Sequence, residues 1–216
     1  MEVVVAIALI YFYFTGEYTM RSENNNVYKL AMTGVLSAVA TILMFLSFSV
    51  PFMPSFLKLD FSEMPALIAS FALGPVSGVT VCLVKNLVNV FFSTTGGIGE
   101  LCNFLLGVFF VLPAGIFYRL GKTRKNALIG SMIGACSMAL LSLPLNYFVT
   151  YPIYAKFMPI DTIIGMYREI FPNVDGLLSC LIIFNVPFTL LKGAVDVLLT
   201  FLIYKRISWI FKGKRA

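Results

Sequence analysis

Long apolar stretches separated by short polar turns run along nearly the whole chain, and they predict six helices. Most of these stretches reach the roughly 18 to 20 apolar residues that a helix needs to cross a bilayer. The second stretch is shorter, and Ser62 and Pro65 mark its start as candidate N-cap and first-turn residues. The predicted helices span 27–48, 62–73, 76–93, 98–120, 127–154 and 177–205. We therefore expect an all-α integral membrane bundle of six transmembrane helices.

Composition supports the bilayer as the solvent for most of the chain. Hydrophobic residues make up 59% of the sequence and charged residues only 12%, whereas soluble domains carry about 25% charged residues. The chain has no histidine, which removes the commonest general base and metal ligand. Its four cysteines lie in apolar runs without CxxC spacing, so the sequence indicates neither a disulfide framework nor a zinc site.

The positive charges are divided unevenly between the two sides of a six-helix arrangement. Only Lys58, Lys156 and Arg168 fall on one side. Because lysine and arginine concentrate on the cytoplasmic side of membrane proteins, both termini are expected to be cytoplasmic. The net charge of +6 then indicates topology rather than nucleic-acid binding. The basic residues of the other side are Arg21, Lys29, Arg119, Lys122, Arg124, Lys125, Lys205, Arg206, Lys212, Lys214 and Arg215.

The first residues of the chain fit this arrangement poorly. The apolar run 1–14 is too short to span a bilayer comfortably, and Glu2 stands where a signal peptide would carry basic residues. We expect residues 1–19 to be an N-terminal extension without a role in function, either an over-extended start before Met20 or an interfacial segment. Residues 20–216 then form one six-helix membrane domain that binds a substrate.

Three ionisable side chains lie within otherwise apolar stretches, and they are Lys85, Lys192 and Asp196. A charge near the bilayer centre costs about 2.5–3.5 kcal/mol on insertion scales, so these side chains are expected to face protein or a hydrated cavity. Asn185, Lys192 and Asp196 are spaced i, i+7 and i+11, which places them on one helical stripe. Asp196 can pair with Lys192 or with Lys85. A polar interior is therefore predicted, with a purely structural ion pair as the open alternative.

Several amide and carboxylate side chains are predicted to lie in the half of the bundle that faces the exterior. Amides offer donors and acceptors together, so they suit a neutral, hydrogen-bond-rich heterocycle or polyol better than a bare ion. The 21 Phe and 10 Tyr residues can stack on an aromatic ligand. Plain hydrogen bonds between helices are the alternative for each amide. The candidate substrate-binding residues on the helices are Lys85, Asn89, Glu100, Asn103, Tyr147, Asn185, Lys192 and Asp196.

Two connecting segments lie on the predicted outer side. The loop 49–65 is amphipathic and bounded by prolines, and it is either a lid over the pocket or an ordinary outer loop. In the lid interpretation Leu57 and Asp60 contact the substrate, with Lys58 at the polar edge. The segment 155–176 contains IDTIIGMYREIF, which predicts a short amphipathic helix over the pocket mouth.

The first predicted helix carries small residues at i, i+4 spacing. Thr33 with Ser37, and Gly34 with Ala38, both fit the small-xxx-small pattern that lets another helix approach closely. The pattern predicts a helix partner, and an internal partner is favoured over one on a second protein.

The sequence lacks the motifs of an ATPase or a hydrolase. GKT at 121–123 follows Gly115 after five residues instead of four, and it ends an apolar span instead of following a strand, so it is not a phosphate-binding loop. GxSxG and HExxH are absent. We expect a protein that is not an enzyme and has no energy source of its own. A small lipid-modifying membrane enzyme is the less favoured alternative, because the acidic residues lie mostly on the outer side.

Four short motifs resemble the substrate-binding (S) subunits of energy-coupling-factor (ECF) vitamin transporters, most closely the riboflavin-specific members. The likeness covers about residues 27–210. The motifs are D-F-S-x-x-P at 60–65, G-P-x-x-G at 74–78, K-N-L-x-N at 85–89 and G-E-L-x-N at 99–103.

The resemblance implies a multi-pass protein of the bacterial cell membrane, with riboflavin as the transported ligand and no resident cofactor or metal. The vitamin would be captured outside under the first loop and delivered inward by tilting of the subunit. ATP hydrolysis in the partners, a transmembrane coupling subunit and two cytoplasmic ATPases, would drive this step. Gly34 and Ala38 match the motif that docks the coupling subunit, where an alanine pair is more usual.

The resemblance also implies roles for individual side chains in flavin binding. Asn185 and Lys192 would reach the carbonyl edge of the flavin ring. Asn89, Glu100 and Asn103 would serve the ring or the ribityl hydroxyls. An S subunit for another vitamin or precursor is the alternative.

Overall fold

The computed structural model describes residues 24–54, 57–93, 96–156 and 158–212. The predicted extension 1–19 lies outside these residues. The helices are α1 (Asn24–Phe45), α2 (Glu63–Ala72), α3 (Pro75–Val90), α4 (Ile98–Leu120), α5 (Arg124–Leu145), α6 (Tyr151–Tyr154), α7 (Ile160–Arg168), α8 (Leu177–Cys180) and α9 (Val186–Lys212). The chain is thus mostly helical, as predicted.

The chain divides into two compact units, Met1–Met32 and Thr33–Ala216. The described part of the first unit is the start of α1, whose side chains at 26–31 are exposed. The second unit contains the rest of α1, all other elements and every residue of the candidate site.

Four helical stretches within the described residues are long and apolar enough to cross a membrane. They are Asn26–Phe45, Ile98–Leu120, Arg124–Tyr154 and Leu177–Tyr204. The stretches Glu63–Ala72 and Pro75–Val90 are apolar but shorter. The long helices expose large apolar side chains such as Leu140 and Leu198, which suits a hydrocarbon surrounding.

A small antiparallel ladder, which the sequence analysis did not predict, lies in the loop between α1 and α2. Its strands are β1 (Phe48–Ser49) and β2 (Lys58–Leu59), with Phe48 opposite Leu59. Asp60 follows β2 directly. The ladder therefore holds the two ends of this loop together just before the acidic residue that enters the site.

Both long helical stretches at 124–154 and 177–204 contain one π-helical turn. These turns are Asn146–Thr150 and Leu181–Asn185, and each is followed by one residue and then by a proline, Pro152 or Pro187. Proline has no N–H and clashes with the preceding turn, so it disturbs the regular helical bonding. The residue before each proline bonds five positions back instead of four. π turns occur often at functional sites.

Close packing of α4 against α5 depends on glycine. A Cβ atom at Gly130 would lie 2.8 Å from the Ala114 carbonyl oxygen, and one at Gly134 would collide with the Phe110 carbonyl oxygen. The two glycines are one turn apart, so they form a smooth strip that brings the backbones together. Helix α4 also lies beside α2 and α3, while α9 packs against α2 and α5.

Candidate functional site

A connected set of buried polar side chains joins the end of the first loop to helices α2, α3, α4 and α9. Its best-defined link is an ion pair in which Lys192 Nζ lies 2.8 Å from Asp60 Oδ2. The two residues are 132 positions apart in sequence, and Asp60 and Lys192 are only 6% and 8% exposed. Such pairs are strong when both charges are withdrawn from water and correctly oriented.

The remaining oxygen of Asp60 is held by Ser62. The Ser62 N–H donates to Asp60 Oδ1 at 2.9 Å, and the Ser62 hydroxyl donates to the same oxygen. Burial alone would raise the pKa of Asp60. The ammonium groups of Lys192 and Lys85, together with the hydrogen bonds from Lys192 and Ser62, outweigh it and hold that pKa well below its usual range.

The low pKa of Asp60 determines how the stability of the fold changes with pH. Because the pKa of Asp60 is lower in the folded protein than in the unfolded chain, its ionised form stabilises the fold at neutral pH. That stabilisation decreases as the pH falls from about 4, the ordinary aspartate value, towards the lowered pKa.

A second buried ion pair joins α2 to α3. Lys85 Nζ lies 2.5 Å from Glu63 Oε1, and it also donates to Ser62 Oγ at 2.5 Å. The other Glu63 oxygen accepts from Cys82 Sγ at 3.4 Å. Lys85 is fully buried. This pair therefore connects directly to Asp60 through Ser62.

Amides extend the set along α3 and α4. Lys192 Nζ lies 3.5 Å from Asn103 Oδ1, at the limit of hydrogen bonding, and Asn103 Nδ2 donates to Asn86 Oδ1 at 3.1 Å. Asn86 in turn donates to the Cys82 carbonyl at 2.8 Å. These amides place donors and acceptors beside the Lys192 ammonium group.

Glu100 lies at the start of α4 in a separate polar contact. Its two oxygens accept from Asn89 Nδ2 at 3.1 Å and from Ser93 Oγ at 2.7 Å. The Gly97 N–H donates to Ser93 Oγ at 3.0 Å. A carboxylate here is favoured by the positive end of the helix dipole.

Three side chains form a closed ring of hydrogen bonds near the two π turns. The Tyr151 and Tyr167 hydroxyls are 2.6 Å apart, and Tyr167 donates to Asn185 Oδ1 at 2.7 Å. Asn185 Nδ2 donates to the Tyr151 hydroxyl at 3.3 Å. Burial raises the pKa of Tyr167 far above its usual range, so its hydroxyl stays protonated. The ring fastens α7, which the sequence predicted, to the helix ends beneath it.

We expect Tyr167→Phe to loosen the segment 158–176. The change removes one hydroxyl and leaves polar atoms of Asn185 and Tyr151 without this partner, at a cost of about 1–3 kcal/mol. Hydrogen–deuterium exchange of 158–176 should accelerate. Tyr147→Phe is the matched control, because Tyr147 is 38% exposed and takes no part in the ring. Equal exchange in the two variants would contradict the fastening role of the ring.

The structure brings some of the predicted site residues together and separates others. Lys192 contacts both Asp60 and Asn103, and Lys85 is connected to Asp60 through Ser62. Other predicted residues lie outside this set. Asn89 and Glu100 bond each other, and Asn185 belongs to the ring of hydrogen bonds with the two tyrosines. Leu57 packs against the apolar cluster around that ring, and Tyr147 is exposed.

Asp196 does not form the ion pair that was predicted for it. It is 0% exposed, yet neither of its carboxylate oxygens has a hydrogen-bond partner among the described residues, and the same holds for the Thr200 hydroxyl one turn later. The predicted pairing with Lys192 or Lys85 does not form, because those lysines bond Asp60 and Glu63 instead. A buried carboxylate without a partner is costly and calls for a functional explanation.

Sequence reasoning missed several polar residues of the site. Glu63 and Tyr167 were not considered as site residues, and Ser62 was assigned only as an N-cap. No side-chain capping bond forms at Ser62, because its hydroxyl serves Asp60 and Lys85 instead. The requirement that a buried lysine have an acidic partner could have pointed to Glu63.

The small-residue positions of α1 separate into two faces. Thr33 and Ser37 are buried, and their face lies towards the protein interior. Gly34 and Ala38 are exposed, and a Cβ atom at Gly34 would meet no atom within 4 Å. The Gly34–Ala38 face is therefore open within the described residues.

Comparison with known proteins gives consistent matches over most of the chain. Residues 28–204 match the family described as ECF transporter, substrate-specific component. The riboflavin transporter RibU of Staphylococcus aureus (strain TCH60) is 36% identical, covering 91% of this chain and 98% of that protein. The riboflavin transporter FmnP of Bacillus subtilis (strain 168) is 29% identical, covering 88% and 97%.

The fold has a solved counterpart. A structure described as the S component of a bacterial ECF transporter superposes with a TM-score of 0.69 at 35% identity, covering 87% of this chain and 99% of that one. Members of this family are transport proteins rather than enzymes, and this chain is a multi-pass protein of the bacterial cell membrane. The sequence match, the identity to relatives of similar length and the shared fold together show that the chain belongs to the substrate-specific components of ECF transporters.

Proposed function

We propose that the chain is the riboflavin-binding subunit of an ECF vitamin transporter, which captures the vitamin outside the cell. The observation that carries the ligand assignment is the placement of the Lys192 ammonium group and the Asp196 carboxylate, unpaired among the described residues, one helical turn apart on α9. The carboxylate has no hydrogen-bond partner among the described side chains. Relatives named riboflavin transporters, at 36% and 35% identity, support the same ligand.

The chemistry of the flavin ring suits this pair. One edge of the ring carries an imide, an N–H donor between two carbonyl acceptors. The Lys192 ammonium group donates to an imide carbonyl, and the Asp196 carboxylate accepts the imide N–H. The i, i+4 spacing presents both groups on the same face of α9. A donor beside an acceptor distinguishes the imide edge from a simple carboxylate or phosphate ligand.

Amides and aromatic residues complete the proposed pocket. Asn103, which already lies near Lys192, serves the ring or the ribityl hydroxyls, and Asn89 with Glu100 provides further polar contacts. Asn185 reaches the ring only if it exchanges its bonds with the tyrosines. Leu57 and Tyr147 contribute apolar surface at the pocket mouth.

Asp60 gives the first loop a direct role in capture. Its carboxylate is bonded to Lys192, so an imide carbonyl and Asp60 both use the same ammonium group. We propose that the loop acts as a lid whose closed position is defined by this contact. Binding then adds a ligand acceptor to a lysine that is already oriented.

The proposed topology has six spans, with both termini in the cytoplasm. Helices α2 and α3 are shorter than a bilayer requires on its own, but α2 is buried along most of its length. A short helix surrounded by protein is tolerated at membrane depth. Residues 20–216 form the binding domain in this proposal, and residues 1–19 have no role in it.

Delivery inward depends on partners that supply the energy. A transmembrane coupling subunit docks on the exposed Gly34–Ala38 face of α1 and connects the subunit to two cytoplasmic ATPases. Small residues on this face permit close helix contact. ATP hydrolysis in the partners tilts the loaded subunit and opens the site to the cytoplasm.

Detergent-purified protein tests the ligand assignment. We expect a yellow preparation with a flavin absorption band, or, after removal of bound ligand, saturable riboflavin binding with one site per chain by fluorescence titration. Thiamine and biotin at the same concentrations serve as controls for other vitamins. Saturable binding of a different vitamin without riboflavin binding would overturn the assignment but not the family membership.

A further inference from the structure

We propose that Glu63, Lys85 and Ser62 form a positioning relay for ligand capture. In this relay a buried ion pair between α2 and α3 fixes Ser62, Ser62 fixes Asp60, and Asp60 orients Lys192 towards the ligand. The inference rests on the proposed function. It assigns roles to Glu63 and Ser62, and it gives Lys85 an indirect role in place of a ligand contact.

Ser62 is the central element of the relay. It stands at the start of α2, but its side chain makes no capping bond. The hydroxyl instead accepts from Lys85 Nζ at 2.5 Å and donates to Asp60 Oδ1, which also accepts from the Ser62 N–H at 2.9 Å. One carboxylate oxygen of Asp60 is thus held twice by a single residue. Only the other oxygen, Oδ2, meets Lys192.

The Glu63–Lys85 pair is built as a fixed anchor. Lys85 is fully buried and Glu63 is 1% exposed, and their charges neutralise each other at 2.5 Å. Gly107 on α4 leaves the space that the carboxylate occupies, because a Cβ atom there would lie 2.9 Å from Glu63 Oε2. Three helices therefore define the position of Lys85 before any ligand contact is made.

The arrangement explains why Lys85 does not need to touch the ligand. Two of its three N–H donors are used by Glu63 and Ser62, and the residue is fully buried. Lys192 has the ligand-facing role, and its direction is set by Asp60. Loss of the relay should therefore weaken binding without removing a contact atom.

Ser62→Ala is the first test, because it removes the relay hydroxyl without changing charge or helix length. We expect riboflavin affinity to fall about tenfold, the effect of losing a buried hydrogen bond to a charged group. Ser70→Ala is the matched control on the same helix. The Ser70 hydroxyl is equally buried but donates to the Val111 carbonyl on α4. The riboflavin affinity of Ser70→Ala should change less than about twofold.

Combining Ser62→Ala with Asp60→Asn shows whether the loss of affinity comes from the position of Asp60 or from a general loss of stability. In an Asp60→Asn background, Ser62→Ala should have little further effect on affinity, because the relay then has no carboxylate to orient. Thermal unfolding of each variant is measured in parallel. A tenfold effect of Ser62→Ala that persists in the Asp60→Asn background would overturn the relay.

Exchanging the charges of the anchor gives a second, independent test. Glu63→Lys combined with Lys85→Glu keeps an ion pair, so folding should recover relative to either single variant. A carboxylate at position 85 cannot donate to Ser62 and repels Asp60, so riboflavin affinity should stay at least tenfold low. Wild-type affinity in the exchanged variant would overturn the proposal, and if that variant does not fold, the comparison of Ser62→Ala with Ser70→Ala decides.

The wild-type titration separates failure of the relay from failure of the proposed function. If the wild-type protein binds riboflavin and Ser62→Ala binds equally well, the relay is wrong and the function stands. If the wild-type protein does not bind riboflavin, the proposed function is wrong, and with it the relay as a device for capturing riboflavin.

Discussion

Replacing Lys192 with Met is expected to lower riboflavin affinity on the order of 100-fold. The substitution keeps an unbranched side chain but removes the charged donor that we assign to the imide carbonyl. Hydrogen bonds to charged groups contribute about 1.5–3 kcal/mol, which corresponds to roughly 10- to 150-fold in affinity. Fluorescence titration with riboflavin measures the change directly.

A matched lysine and a compensating change make this result specific. Lys58→Met alters the same residue type two positions before Asp60, but Lys58 is exposed, so affinity should be retained. Lys192→Met also leaves Asp60 without its ion-pair partner, which costs about 3–5 kcal/mol when the carboxylate stays buried. Adding Asp60→Asn should restore thermal stability but not affinity. Unchanged affinity in Lys192→Met would remove this lysine from the site.

Replacing Asp196 with Leu is expected to change stability and binding in opposite directions. The carboxylate is fully buried and has no hydrogen-bond partner among the described residues, so the protein without ligand should gain about 1–3 kcal/mol when it is removed. Riboflavin affinity should fall about 10- to 100-fold, because the ring N–H loses its charged acceptor. Thermal unfolding without ligand and riboflavin titration provide the two measurements.

Thr200→Val separates these two effects. Thr200 is also buried, its hydroxyl also has no hydrogen-bond partner in the described part of the chain, and it lies one turn further along α9. The isosteric valine should stabilise the protein slightly and leave riboflavin affinity unchanged. If Asp196→Leu stabilises the protein without weakening riboflavin binding, Asp196 is not the imide acceptor. If Thr200→Val weakens riboflavin binding as strongly as Asp196→Leu does, the polar site extends deeper along α9 than we propose.

The fold was predictable where apolar periodicity and helix breakers act locally. The predicted helix at 98–120 has these bounds in the structure, and Gly74 with Pro75 separates α2 from α3 as expected. Gly74 adopts φ +117°, a conformation that side chains rarely tolerate. The two-residue strands were not predicted, because so short a ladder has no period of its own. The π turns depend on Pro152 and Pro187, whose effect on the helix type was not considered.

The partners of the buried charges were less predictable. Lys192 and Asp196 at i, i+4 are close on one helix, and this proximity suggested that they pair. Lys192 instead meets Asp60, far away in sequence, because the first loop returns to the bundle where β2 ends. Glu63 was not predicted as the partner of Lys85, because the helix dipole is enough to explain a carboxylate at the start of a helix.

The sequence by itself determined that the chain lies in a membrane, that it is helical, to which family it belongs and that its interior is polar. Each of these follows from composition, from periodicity or from short motifs. The tertiary structure alone decided which acid neutralises which lysine and which carboxylate is left without a partner. The physical reason is that a helical period specifies the face on which a charge lies, but not the element that packs against that face. The partner depends on contacts between distant segments, such as the approach of Asp60 to Lys192 and the space that Gly107 leaves for Glu63.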